Sequence, residues 1–346
     1  MYRHLLVPID DTDLSIDVVG NAVGLARAVG ARITFFHAVA DPARAVGSDA
    51  ELLRATAHDD YAYAYTGKAR ELLAKAEAAA HAFGVPCASL QRHGDKPAAA
   101  IIEAARSSGC DLIFMASHGH HGRLGMALAS ETLSVLMNAG LPVLVSATGN
   151  LKAPAHAIGI IRDEHRALAA VMHAWMRALS AARHAGTGAD VAQMRDIVHY
   201  IQTFPVALHH PKEERHLFQR LRERSEEFDA ELDELERQHL RDAQLVAELA
   251  TQVELLALCA DSSAAAAATR KLDETVQAYA RFLWDHLGRE EGVILPAAQR
   301  HLHEQDWLDI DSAFRANRDI HDGQDGHDGD RALRHLFSRI VNASAL

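Results

Sequence analysis

Three cysteines, nine prolines and 5% aromatic residues in a chain of 346 already set aside several classes of protein. Cys87, Cys110 and Cys259 are odd in number, far apart and at no metal-ligand spacing. They predict reduced thiols rather than a disulfide framework. Basic residues are the minority, 35 Lys and Arg against 47 Asp and Glu, and the formal net charge is −12. That balance argues against a polyanion partner, nucleic acid included. No apolar run approaches the roughly 18 residues that a membrane span requires, so no membrane partner is expected. The chain opens on the strand-like run LLVPI without a charged-then-apolar leader, which predicts a cytoplasmic protein.

What is present is apolar material for more than one core: 49% hydrophobic residues in a chain too long for a single typical core. Residues 1–147 alternate short aliphatic runs (His4–Ile9, Arg32–His37, Pro86–Gln91, Asp111–Ser117, Pro142–Ser146) with alanine-rich amphipathic stretches at about 13–29, 60–82, 96–107 and 129–138. Runs that are hydrophobic on both faces and separated by helices predict an α/β domain with an open, parallel five-stranded sheet. The segment from Ala40 to Asp60 is expected as a surface loop with some helix. Residues 148–155 (TGNLKAPA) break the pattern with Gly, Asn and Pro and are expected as a linker.

Beyond the linker, strand signals vanish. Ile161, His165, Leu168, Met172, Trp175 and Leu179 step by four and three, and so do Leu232, Leu235, His239, Val246, Leu249, Val253 and Leu256. These are seams of packed helices. Residues 156–346 therefore predict an all-α antiparallel four-helix bundle, with long helices at about 156–184, 190–224, 227–259 and 264–300 and shorter ones at 304–315 and 330–343.

The seams carry unexpected polarity. His165, His209 with Glu213, His239, and His286 with Glu290 fall on four separate helical stripes. Residues four apart share a helix face, so each H-x-x-x-E pair aims an imidazole and a carboxylate at one point. For any single histidine among 23, a surface or satisfied core position is the better reading. His156, His173, His184, His199, His216, His301 and His303 are accordingly given no role. Burying all six donors unpaired would cost several kcal/mol per group, which makes a metal the cheaper explanation. The segment HHPKEE also offers His210 with Glu214. Leu217 and Phe218 follow Glu213 as Ile294 and Leu295 follow Glu290, which favours His209 and Glu213. Imidazole and carboxylate without thiolate suit iron or manganese, and paired carboxylates suit a dinuclear centre.

With EH in the first helix, HHPKEE, His239 after an acidic helix, and H-x-x-x-E before a leucine-proline end, residues 156–300 resemble the hemerythrin-like HHE cation-binding domains. The resemblance implies a non-haem di-iron site. Oxygen-carrying members have a second histidine four residues after the one on the third helix, where this chain has Ala243. That departure points to members associated with iron-centre repair or with sensing nitric oxide or oxygen. Fewer ligands imply open positions for a small diatomic ligand or peroxide.

In the first half, MASHGHHGRLGMALASETL follows the fourth strand and enters a helix. A glycine-bearing strand-to-helix loop can wrap phosphate with backbone N–H groups. Ser117, Gly119, Gly122 and Ser130 lie there, and Asp10 ends the first strand at the same carboxyl edge. VPIDDTDLS, HGDKP, ASHGHHGRLG and PVLV resemble the universal stress protein domain of the UspA type. Its ATP-binding members carry G-x2-G-x9-G-[ST]; this chain reads Ala116-x2-Gly119-x9-Ala129-Ser130, and a Cβ at either alanine obstructs phosphate approach. ATP thus stands as an open cofactor. The histidines at 118, 120 and 121 and the acidic run HDGQDGHDGD read as solvated loops.

These features predict a stress-response protein with a di-iron site that binds iron and binds or senses O2, NO or peroxide, dimerising through its first domain. The alternatives are a di-iron oxidase, peroxide scavenger or iron-centre repair enzyme, and an iron store or delivery protein.

Overall fold

A computed structural model describes residues 2–10, 13–39, 67–93, 96–118, 120–122, 125–127, 130–148, 153–322 and 328–343. The expected loop at 40–60, Gly119 and Ala129 lie outside the described residues. The chain divides into two compact units, Met1–Leu151 and Lys152–Leu346.

The first unit contains β1 (His4–Pro8), α1 (Asp13–Val29), β2 (Arg32–Val39), α2 (Lys68–Ala82), β3 (Cys87–His93), α3 (Pro97–Ser107), β4 (Leu112–His118), β5 (His120–Gly122), β6 (Gly125–Ala127), α4 (Ser130–Asn138) and β7 (Val143–Thr148). Five strands form a parallel sheet in the order β3-β2-β1-β4-β7, with Leu5 opposite both Ile33 and Leu112. Alternation along β1 feeds both faces. Leu5 and Val7 pack with α1 and α2 residues such as Val19, Val23 and Leu73, whereas Leu6 packs with Ile101 of α3 and Val135 of α4. The strands are apolar on both sides because helices cover both sides. The glycine loop after β4 contains a short antiparallel ribbon, β5 with β6, that the sequence reading did not anticipate. Three-residue strands are too short to leave a period.

The second unit is helical: α5 (Ala153–Ala185), α6 (residues 191–224), α7 (Asp229–Ala257), α8 (residues 262–301), α9 (Glu304–Asp322) and α10 (Asp328–Ala343). Helix α5 begins inside the expected linker, because Pro154 is tolerated in a first turn, where its missing N–H has no partner to lose. Short connections reverse the chain. Gly186 (φ +67°) ends α5, a conformation that costs glycine least, and Asp190 caps α6 through the amides of Ala192 and Gln193. Asp261 caps α8 at the Ala264 amide. Helix α5 packs on α8, α8 on α7 and α7 on α6, while α9 lies on α5 and α10 on α6.

Two of these helices are not regular. Helix α6 widens into π turns at Gln202–His209 and Glu213–Phe218, and α8 does so at Glu290–Ile294. Pro205 lies inside the first wide stretch, Pro211 just before the second and Pro296 just after the third. Each proline removes one N–H from the i→i−4 ladder, and π turns recur at functional sites. No helix among the described residues is long and apolar enough to cross a membrane.

Candidate metal centre

Two of the three wide turns begin at buried carboxylates. Glu213 opens the second π stretch of α6 and Glu290 opens the one in α8, at 0% and 1% exposure. One turn later, Leu217 with Phe218 and Ile294 with Leu295 are fully buried and anchor each helix in the same core cluster. The two H-x-x-x-E motifs thus share one local construction.

Their carboxylates face two groups of imidazoles. Glu213 turns Oε1 to His209 Nε2 (3.2 Å) and His165 Nε2 (3.6 Å), and Oε2 to His239 Nε2 (3.6 Å). Glu290 turns Oε2 to His165 Nε2 (3.3 Å), and Oε1 to His286 Nε2 (3.4 Å) and His239 Nε2 (3.6 Å). Each carboxylate therefore spans both groups with one oxygen toward each. Donor atoms of His165, His209, Glu213 and Glu290 lie within 4.8 Å of one another, as do those of Glu213, His239, His286 and Glu290. All six residues singled out from the sequence come together, and His210 lies with His239 and His286. Glu214 stays at the rim with its side chain 43% exposed.

The outer nitrogens follow a cyclic rule. His209 Nδ1 faces Glu164 Oε2 (2.5 Å), His239 Nδ1 faces Glu214 Oε1 (2.8 Å), His286 Nδ1 faces Gln238 Oε1 (3.1 Å) and His165 Nδ1 faces Glu291 Oε1 (3.0 Å). So α5 supports α6, α6 supports α7, α7 supports α8 and α8 supports α5. An acceptor at Nδ1 fixes the N–H there and aims the Nε2 lone pair inward, the arrangement of metal-bound histidines. Every supporting residue is the chain neighbour of a central one: Glu164 of His165, Glu214 of Glu213, Gln238 of His239, Glu291 of Glu290. The doublets EH, EE, QH and EE are the available sequence signal; EH and the EE of HHPKEE carry the resemblance above, but the spacing of residues on one helix assigns none of them this supporting part.

The chemistry of the centre fits a cation. Both oxygens of Glu213, both of Glu290, and Nε2 of His239 and His286 are buried without a hydrogen-bond partner. Leaving so many such groups unsatisfied costs roughly 1–3 kcal/mol each. Without an ion, protons do part of its work. Burial opposes charge on His165, yet Glu213, Glu290 and Glu291 hold its imidazole protonated well above the usual range. His209 is raised to about 9 by Glu213 and Glu164 against the same burial. His239 is raised to about 10 by Glu214, Glu290 and Glu213, again against burial. His286 is lowered, chiefly by burial.

His210 was weighed only as the alternative to His209, and its neighbours were given no role. His210 is 4% exposed, and its ring stacks on His239 at 4.2 Å. Asp242 and Tyr279 are buried beside it. Asp242, not the exposed Ala243, takes the inward position on α7 one turn after His239. From α9, Phe314 sets its ring against His209, and Asn317 donates to Glu164. His156, given no role above, pairs with Asp311 of α9.

In the first unit, Asp10 lies at the carboxyl end of β1, where its amide donates to Ser15 Oγ (2.8 Å) and the Ser15 hydroxyl donates to its carboxylate (2.7 Å). Ser117 is the penultimate residue of β4, Gly122 ends β5 and Ser130 begins α4. The Ala116 carbonyl accepts from Thr132.

Residues 1–146 match the sequence model of the Universal stress protein family, and residues 156–298 that of the Hemerythrin HHE cation binding domain. A universal stress protein of Methanocaldococcus jannaschii is 28% identical over 145 residues, 42% of this chain and 82% of the relative. A universal stress protein family structure from Burkholderia pseudomallei shares 25% identity, covering 42% of this chain and 96% of its own, with a TM-score of 0.33. A universal stress protein from Archaeoglobus fulgidus in complex with dAMP shares 20% identity, covering 42% and 97%, with a TM-score of 0.28.

Proposed function

We propose that this chain, in which a universal stress protein domain precedes a hemerythrin HHE cation binding domain, is a stress-response protein with a non-haem di-iron site for O2, NO or peroxide. In this reading His165 and His209 hold one iron, His239 and His286 hold the other, and Glu213 and Glu290 bridge them. The observation that carries it is the pair of buried carboxylates, each with one oxygen toward each histidine group and no hydrogen-bond partner for either oxygen. Two ferrous ions would supply electrons and coordination positions to a small oxidant or diatomic ligand. The protein's own part is to fix four imidazole tautomers through Glu164, Glu214, Gln238 and Glu291, and to keep water from the centre with Phe218 and Phe314.

The first domain is read as the pairing module. Among the described residues strand β7 is a sheet edge; Leu144 on it is 46% exposed, and Leu133, Leu136 and Met137 of α4 are exposed as well, with Met137 at 76%. An open edge with apolar neighbours favours a second copy of the chain. Asp10, Ser117, Gly119, Gly122 and Ser130 remain the candidates for ATP, and a cytoplasmic location accompanies the whole reading.

Metal analysis with the absorption spectrum of reduced protein before and after air tests it. About two irons per chain and a spectral change that reverses on removing the gas are expected. Sustained consumption of O2 or peroxide would move the protein to the oxidase or scavenger class. One zinc in folded, iron-grown protein would defeat the di-iron reading.

A further inference from the structure

Resting on the di-metal reading above, we infer that His210 is a fifth imidazole ligand, bound to the ion held by His239 and His286. The residue lies next to an assigned ligand yet does not share its partners. His209 faces His165 and Glu164, while His210 faces the other half of the centre. A ring nitrogen of His210 lies within 4.8 Å of ring nitrogens of both His239 and His286. Its ring lies parallel to that of His239 (10°) and edge-on to that of His286 at 5.5 Å. Consecutive helical residues normally diverge by about 100°. Here a π stretch ends at His209 and another begins at Glu213, and both side chains are buried toward the centre, at 3% and 4% exposure.

The outer side of His210 departs from the cyclic order of the other four imidazoles, because its carboxylate comes from the following helix and is no chain neighbour of a central donor. Its Nδ1 faces a carboxylate on the next helix, Asp242 of α7, at 3.8 Å. That gap is beyond hydrogen-bond reach; both Asp242 and Tyr279 are buried, and the Tyr279 hydroxyl is the polar neighbour of the carboxylate. A buried carboxylate near an imidazole Nδ1 is placed to serve as its outer acceptor once the histidine binds an ion through its other nitrogen. The centre is then asymmetric: two imidazoles on the His165 side, three on the His239 side. The vacant positions for an exogenous ligand fall on the ion held by His165 and His209.

The test uses the full chain loaded with cobalt(II). Each ligating imidazole whose outer N–H is buried gives one strongly shifted, solvent-exchangeable proton signal in the paramagnetic NMR spectrum. Five such signals are expected from the wild type and four from His210→Phe, a variant that keeps the stack on His239. Cobalt bound on the His239 side should also be held about 10- to 100-fold more weakly in Asp242→Asn, and more weakly still in His210→Phe. Two cobalt ions per chain with four signals in the wild type would overturn the inference while leaving the di-metal reading standing. A wild type that takes up no pair of ions would overturn both. Because the signal count is read on the wild type, a misfolded variant does not remove the test.

Discussion

The candidate phosphate loop of the first domain and the metal centre of the second use opposite materials. The loop relies on backbone N–H groups of a turn, and its chemistry depends on residues that lack a side chain. The centre relies on side chains fixed on four helices, each inner donor backed by an outer acceptor from a neighbouring helix. A substitution of glycine by alanine, as at Ala116 and Ala129, degrades the first kind of site without leaving a polar trace. Loss of any central donor in the second leaves buried charge exposed to its neighbours. The difference implies that the two sites tolerate change very unequally, and mutation should separate them.

The largest effect is expected at the bridging carboxylates. Glu213→Ala removes one oxygen from each metal position at once, so metal content measured after desalting should fall from about two ions per chain to below one. Glu214→Ala removes only the acceptor on His239 Nδ1 and should weaken binding by about 10- to 100-fold while leaving a loadable site. His301→Ala, beside Phe228, should leave metal content unchanged. Metal lost in Glu214→Ala but kept in Glu213→Ala would show the register to be one residue out.

Next in size is the response to metal removal. Free metal at about 1,000 times its dissociation constant stabilises the native state by about 4 kcal/mol, so the apo form should melt earlier in the HHE domain. The pH dependence has a defined sign. His209 and His239, raised from 6.5 to about 9 and about 10, add stability to the apo form that is complete below about pH 6.5. That contribution is lost as pH rises through their folded values, while metal binding gains because fewer protons must leave. The gap in melting temperature between loaded and apo protein should therefore widen from pH 6.5 to 9, and loading at pH 7 should release protons. A gap that narrows over this interval would contradict the proton-for-metal exchange.

These contrasts also explain what could be read in advance. The parallel sheet and the helix seams were legible because side-chain periodicity records burial and facing, and the same spacing singled out six residues that the fold brings together. His210 entered only as the alternative to His209, because two adjacent histidines do not share a regular helix face; in α6, with its π turns, both are buried. The outer acceptors act across helices, so no single-helix spacing reveals them, although their doublets with the central residues stand in the sequence. Asn317 belongs to α9, beyond the matched family segment, and nothing in its local pattern signals a contact with Glu164. The ribbon in the phosphate loop rests on backbone pairing alone and left no period.

A smaller effect follows from that distal contact. Asn317 is fully buried and donates to Glu164 (3.4 Å), which in turn accepts from His209 Nδ1. Asn317→Leu keeps the volume and removes the donor. The affinity of the His165 side for metal, measured by chelator competition, should drop by a few fold, with binding on the His239 side unchanged. An equal loss on both sides would mean that the substitution loosens α9 as a whole rather than the Glu164–His209 pair.

The smallest effect is expected from ATP. Asp10 is already engaged by Ser15, and Ser117, Gly122 and Ser130, the candidates for phosphate contact, lie near the end of β4, at the end of β5 and at the start of α4. Ala116 puts a Cβ on the strand side of that loop, and its carbonyl is taken by Thr132. Close approach of a phosphate to backbone N–H groups tolerates no such methyl without displacement of the chain. Calorimetric titration of the full-length protein with ATP should show affinity in the high micromolar range or weaker, about 5–6 kcal/mol of binding free energy at most. Metal content and the melting of the HHE domain should not change on adding ATP. Ala116→Gly combined with Ala129→Gly should tighten binding if the two methyl groups are the obstacle. Tight saturable binding by the wild type would show that the loop reaches phosphate by another route, and the contrast between a lost backbone site and a retained side-chain site would fail.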